Sequence, residues 1–256
     1  MGSVAIRHRA DLAAVVGSLA AITAVAWVLT VRLAASMGTT AGPMGMADAM
    51  PSPGGRMLLV FAMWVAMMVG MMVPSATPMV AAYTDWARRD RSGGSRPIAV
   101  ASFLSGYVIV WFGFALAAAG LQLGLERAAL LNAMGAAGTP LLGGTVLVLA
   151  GVFQVTPWKE SCLGRCRTPL GFLIAEWRDG ARGAMVMGTR HGAYCLGCCW
   201  ALMGVLFVVG TMHLMWMAVI AGFVLVEKVA PRTLRLRYAA AAALVGWGVV
   251  TLVTAA

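Results

Sequence analysis

Charge is scarce in this chain. Only 11% of its 256 residues are Asp, Glu, Lys or Arg, against roughly a quarter in an average soluble domain. Acids are scarcest, nine beside nineteen bases, and there are three histidines. So thin a supply of acids and imidazoles offers no Ser/His/Asp arrangement for hydrolysis. No glycine loop of the phosphate-cradling kind is present, so active pumping would need another subunit or an ion gradient. There is no CxxCH for covalent haem, and the cysteine spacing is not that of a zinc finger. Internal repeats and low-complexity domains are also missing.

Apolar residues fill the space that charge leaves. They make up 61% of the chain, with mean hydropathy +0.86, thirty-one glycines and nineteen methionines. This is the composition of an integral membrane protein, in which glycine lets helix backbones approach closely. The net charge of +10 lies in short clusters between apolar runs. Basic loops against an anionic leaflet account for that pattern, and nucleic acid is not implied.

A helix needs about 20 apolar residues to cross a bilayer. Seven runs qualify: 12–34, 57–80, 98–122, 140–157, 193–211, 213–230 and 238–255. The first is too long for the apolar region of a signal peptide and reads as a retained helix. The fifth and sixth nearly touch, which requires a tight turn around Gly210 and Thr211. With the amino terminus in the cytoplasm, sixteen of the nineteen basic residues fall on the inner side and only Arg32, Arg56 and Arg127 outside. The positive-inside rule therefore selects that orientation, with the carboxyl terminus outside. The expectation is an all-α polytopic membrane protein of about seven transmembrane helices, a single membrane domain over 1–256. Its outer loop, 37–56, is rich in methionine, glycine and proline, including Met44, Met46 and Met50, and too broken to pack as a helix. Its longest inner loop, 158–191, carries "PLGFLIAEWRDG", suited to a short interfacial helix.

All five cysteines fall on the deduced inner side, where thiols stay reduced. Cys162 and Cys166 follow the fourth run, in "CLGRC"; Cys195, Cys198 and Cys199 open the fifth, after His191. On a helix at about 100° per residue, His191, Cys195, Cys198 and Cys199 share an arc of about 100°. One helix end then presents an imidazole and two or three thiols, and Cys162 and Cys166 can close the site. Such donors suit copper(I), zinc or an iron centre. The basic neighbours Arg165, Arg167 and Arg190 favour thiolates. A single cysteine here would be read as packing; five with a histidine are read as a metal or redox site.

The second run, "MLLVFAMWVAMMVGMMVPSATPMV", repeats methionine every four residues. Met63, Met67 and Met71 form one stripe, Met68 and Met72 another. Thioethers are copper(I) ligands, so Met63, Met67 and Met71, with His213 at the head of the sixth run beside Met212 and Met215, make a candidate relay. The competing reading is that methionine simply fills irregular helix interfaces. Pro74 and Pro78 are expected to break or kink the inner end of that helix. Glu227, beside Lys228 in the sixth run, is too deep to be unpartnered; snorkelling, an arginine partner and the cysteine site all remain open for it.

The motifs "MWVAMMVGMMVPSATP", "CLGRCRTPLGF", "HGAYCLGCCWALM", "GTMHLMWM" and "EK" occur in this order over residues 57–230. On these the chain resembles the bacterial family of uncharacterised, metal-binding integral membrane proteins classed as domain of unknown function 2182. The resemblance implies a multi-pass protein of the bacterial inner (plasma) membrane that binds metal through its cysteines, and it brings no settled activity.

The reading is thus a copper-handling or copper-transporting protein, with a cytoplasm-facing site of Cys162, Cys166, His191, Cys195, Cys198 and Cys199. Copper is favoured over zinc or iron. The partners are the lipid bilayer, the metal ion and a membrane or metallochaperone protein. A membrane thiol or metal-dependent oxidoreductase, using Cys195 and Cys198, is one alternative, and a structural subunit of a larger membrane complex another; no catalytic residue is assigned.

Overall fold

The computed structural model describes residues 2–40, 53–87, 96–132, 135–211, 213–230 and 236–254. The basic clusters at 88–91 and 232–235, Met44, Met46, Met50 and Met212 lie outside the described residues, as does most of the expected outer loop. The described residues fold into helices: α1 (Gly2–Thr40), α2 (Pro53–Trp86), α3 (Arg96–Arg127), α4 (Pro140–Gln154), α5 (Pro157–Arg167), α6 (Pro169–Glu176), α7 (Gly180–Gly204), α8 (Leu206–Val209), α9 (Leu214–Val229) and α10 (Leu236–Val253).

Among the described residues five helical stretches are long and apolar enough to cross a membrane, and six if α4 and α5 count as one span bent by 62°. The stretches Leu12–Ala35, Gly54–Trp86, Pro97–Arg127, Gly180–Val209 and Leu236–Val253 overlap five of the expected runs. The sixth expected run is α9, whose 16 residues reach about 24 Å at 1.5 Å per residue, short of a hydrocarbon core of about 30 Å. The tight turn before it is real. Gly210 adopts φ 99°, a backbone geometry that favours glycine.

The stretch 158–191, expected as a loop, is largely helical. Three helix starts follow one another. Thr156 caps α5, its hydroxyl accepting from the Lys159 N–H, and Pro157 takes the first helical position. Thr168 and Pro169 repeat the pairing at α6, and α7 begins after Asp179. Proline at the first turn lacks only an N–H that would have no helical partner. The polar composition of this stretch concealed helices whose start signals were present in it. The expected short helix in "PLGFLIAEWRDG" is α6.

Pro74 and Pro78 are carried through α2 without a break. Side chains supply donors around them: Ser75 Oγ donates to the Met72 carbonyl (2.9 Å), Thr77 Oγ1 to that of Val73 (3.4 Å), and Tyr107 Oη reaches the Met72 carbonyl from α3 (3.0 Å). Local and neighbouring donors of this kind make prolines tolerable in membrane helices.

α2, α3 and α7 form the centre. α2 buries its methionines on both stripes: Met63, Met67, Met68, Met71 and Met72 are each at most 1% exposed. At one end Trp64 Nε1 donates to Gln122 Oε1 (2.8 Å), and Arg56 pairs with Glu126 (2.6 Å). α1 packs on α2, with Trp27 and Ala26 against Gly70. α4 and α10 meet through Gly144, Gly151 and Gly248.

The α3–α7 contact is closest of all. A Cβ on Gly188 would collide with the Phe103 carbonyl, and one on Gly106 with the Met185 carbonyl. Gly192 faces the Tyr107 carbonyl one turn on. Backbone rests on backbone, as small residues permit in membranes. Gly188→Ala is expected to cost about 1–3 kcal/mol through overpacking, read as a lower thermal unfolding midpoint in detergent. Gly113→Ala, on the same helix pair with open space at its Cβ, serves as the control. Equal midpoints for the two variants would refute the close contact.

Candidate metal centre

α7 brings the cysteines inside because its apolar and small residues recur with helical spacing. Ala184, Met187, Gly188, His191, Gly192, Cys195, Cys198 and Cys199 are all buried. The i, i+3, i+4 pattern is that of an inward face. The arc drawn from the sequence for His191, Cys195, Cys198 and Cys199 is therefore the face that packs against α2 and α3.

The five cysteines are free thiols. Cys198 Sγ donates to the Cys195 carbonyl at 3.1 Å, and Cys199 Sγ to the same carbonyl at 2.8 Å. Cys166 is buried on α5, on the side facing Cys198 of α7. Cys162 is half-buried one turn earlier on α5. Its Sγ lies where a Cβ on Gly197 would stand only 2.9 Å away, so glycine there admits the thiol. The segments "CLGRC" and "HGAYCLGCC" thus lie against each other on α5 and α7, with Cys162 Sγ seated at Gly197.

The sulfurs are adjacent but not preset as a cage. Among the described residues no three His, Cys, Asp or Glu side chains converge on one metal position. Cys198 and Cys199 both spend their thiol hydrogens on the Cys195 carbonyl.

His191 stands apart from the thiols. Its ring sits among Phe103, Tyr107 and Phe172, with centroids 6.1, 5.6 and 5.6 Å away. It is 2% exposed, and neither ring nitrogen has a hydrogen-bond partner. Unsatisfied buried ring nitrogens are costly and uncommon. His213 is exposed at the head of α9, the opposite end of that helix from Lys228.

The methionine column reaches the thiols. Met72 Sδ is 4.0 Å from Cys199 Sγ. Met63, Met67 and Met71, the stripe singled out from sequence, are buried in the same helix; the thiol contact belongs to the neighbouring stripe.

Two residues escaped the sequence reading. Tyr107 Oη, besides binding the Met72 carbonyl, lies 3.1 Å from Cys195 Sγ. Lys228 Nζ lies 2.9 Å from Cys195 Sγ and 2.7 Å from Ser75 Oγ. The "EK" pair in an apolar run was the available signal, but attention went to its acid. Glu227 neither snorkels nor takes an arginine on its carboxylate. Its Oε2 pairs with Lys159 Nζ at 2.8 Å, both side chains at most 2% exposed. Lys159 Nζ also donates to Gln154 Oε1. Arg167 Nε donates to the Glu227 carbonyl (2.7 Å) and so ties the end of α5 to α9.

Removing one partner of a buried ion pair strands the other and costs about 3–5 kcal/mol. Lys159→Met and Glu227→Leu are each expected to destabilise the protein by about that much. The double variant, which leaves no stranded charge, should be more stable than either single one in the same thermal unfolding assay. Additive losses would rule out the pair.

A family model described as PpoB2, copper chaperone, matches residues 61–251. No curated protein and no solved structure matches the chain. The match runs from the methionine column through both cysteine segments to α10. It names copper, whereas the resemblance read from the motifs named a family with no assigned metal. Matched over about three-quarters of its length, including all five cysteines and His191, this chain belongs to the PpoB2 copper chaperone family.

Proposed function

We propose that this membrane copper-handling protein carries copper(I) as cargo on a sulfur path, from the α2 methionines to Cys199, Cys195, Cys198 and Cys166. The observation that carries the reading is the contact between Met72 Sδ and Cys199 Sγ. It joins the thioether column to the thiols, and no other common biological ion takes both donor types as readily as copper(I). His191, with both nitrogens unpartnered one turn from Cys195, supplies an imidazole, and Cys162 a peripheral thiol.

The site faces the cytoplasm in this reading, in a bacterial inner-membrane protein crossing seven times with its amino terminus inside. α9 and the bent α4–α5 pair count as crossings. The support is the charge distribution of the sequence. Delivery to or from a protein partner follows from the chaperone family.

Purified protein is expected to carry copper near one equivalent. Cys195→Ser with Cys198→Ser should abolish it. Met72→Leu, close in volume and so mild in stability, should weaken copper(I) binding by about tenfold in competition with a chromophoric chelator. Protein that is metal-free after anaerobic, chelator-free purification would sink the proposal. A Cys195–Cys198 thiol pair whose alkylation tracks the redox poise would favour the oxidoreductase alternative instead. For orientation, a phosphatase reporter fused after Ala256 should be active and a fluorescent protein at that position dark; the reverse result would remove the seven-span, amino-terminus-in arrangement.

A further inference from the structure

The thiol cluster already faces a cation. Lys228 reaches from the end of α9 to Cys195 on α7 and Ser75 on α2, at 2.9 and 2.7 Å. It is 6% exposed. Among the described residues no carboxylate pairs with it, because its neighbour Glu227 turns to Lys159. The ammonium of Lys159 is thus neutralised by an acid and that of Lys228 is not. A buried ammonium is held by whatever faces it, and here that is a sulfur and a hydroxyl.

Softness alone does not select the cargo. Thiols taken by themselves are donors for zinc as well as for copper(I). We propose that Lys228 is the specificity-determining residue of this site: its fixed positive charge at Cys195 confines the thiols to a monovalent soft cation and turns divalent zinc away. The proposal rests on the copper-handling reading above. A unit charge a few ångströms from the cargo repels a divalent ion twice as strongly as a monovalent one. Inside a protein, where the effective dielectric constant is far below that of water, the difference is large. Lys228 acts through its charge and not as a ligand. It needs no place among the ligands, since Ser75 Oγ holds it when the sulfur turns to the metal.

The test measures copper(I) and zinc(II) affinities of the purified full chain, anaerobically, by competition with chromophoric chelators. Lys228→Gln keeps a donor toward Ser75 and Cys195 and removes only the charge. It should raise zinc affinity at least about tenfold more than copper(I) affinity. Lys228→Arg should keep the wild-type preference. Ser75→Asp neutralises the ammonium from its other side with Lys228 retained, so it should shift the preference toward zinc even if Lys228→Gln fails to fold. An unchanged zinc-to-copper ratio in Lys228→Gln, or in Ser75→Asp, overturns the proposal while leaving copper handling intact. Wild type that takes up neither ion overturns the copper-handling reading, and this proposal with it.

Discussion

The site depends on the contact of two backbones. Gly188 of α7 rests on the Phe103 carbonyl of α3, and Gly106 of α3 on the Met185 carbonyl of α7. With side chains at these points the helices would stand a full side-chain layer further apart. At the observed spacing Tyr107 Oη spans the interface and touches both Cys195 Sγ and the Met72 carbonyl. That single hydroxyl fixes α7 against α2 through α3. It also sets the depth at which the sulfurs of α7 meet the thioethers of α2.

Once that face is closed, electrostatics decides what can lie behind it. Low dielectric makes every buried charge costly unless it is paired or hydrogen-bonded. The chain meets this with two lysines in different settings. Lys159 has a carboxylate and an amide, and joins α5 to α9. Lys228 has a thiol and a hydroxyl, and joins α9 to α7 and α2. Neighbours on the same helix, Glu227 and Lys228 point to different clusters, one structural and one at the sulfurs. The scarcity of charge in the sequence makes the placement of these few groups informative.

Much of the centre was legible from spacing. Helical periodicity placed His191, Cys195, Cys198 and Cys199 on one face, and all four are buried on it. The membrane class followed from composition, and the turn at Gly210 from the junction of two apolar runs. Three things were not legible. The number of spans is not fixed by hydropathy where a helix is short or bent, because hydropathy records composition and not direction: α9 has 16 residues, and α4 and α5 diverge by 62°. Of the helices in 158–191, α6 was expected, whereas α5 and the start of α7 were hidden because polar residues outweighed start signals such as Thr156-Pro157. The role of Lys228 was invisible because a lysine's partner lies across the bundle, at a sequence distance that no local pattern encodes.

Packing and metal transfer are usually offered as rival explanations of a methionine-rich helix, and here they rest on one property. The thioether is flexible and polarisable, so it fills the irregular space between α2 and its neighbours. The same polarisability makes it a donor for copper(I). Burial therefore does not discriminate: Met63, Met67, Met68, Met71 and Met72 are all buried. What discriminates is the company at the end of the column. A packing methionine needs only apolar neighbours, yet Met72 places its sulfur against Cys199 and its carbonyl under Tyr107, which itself touches Cys195. Leucine would fill the volume of Met72 but offer nothing to a cation at Cys199. On the proposed sulfur path the column meets the thiols at Met72, whose thioether would serve both as core side chain and as ligand.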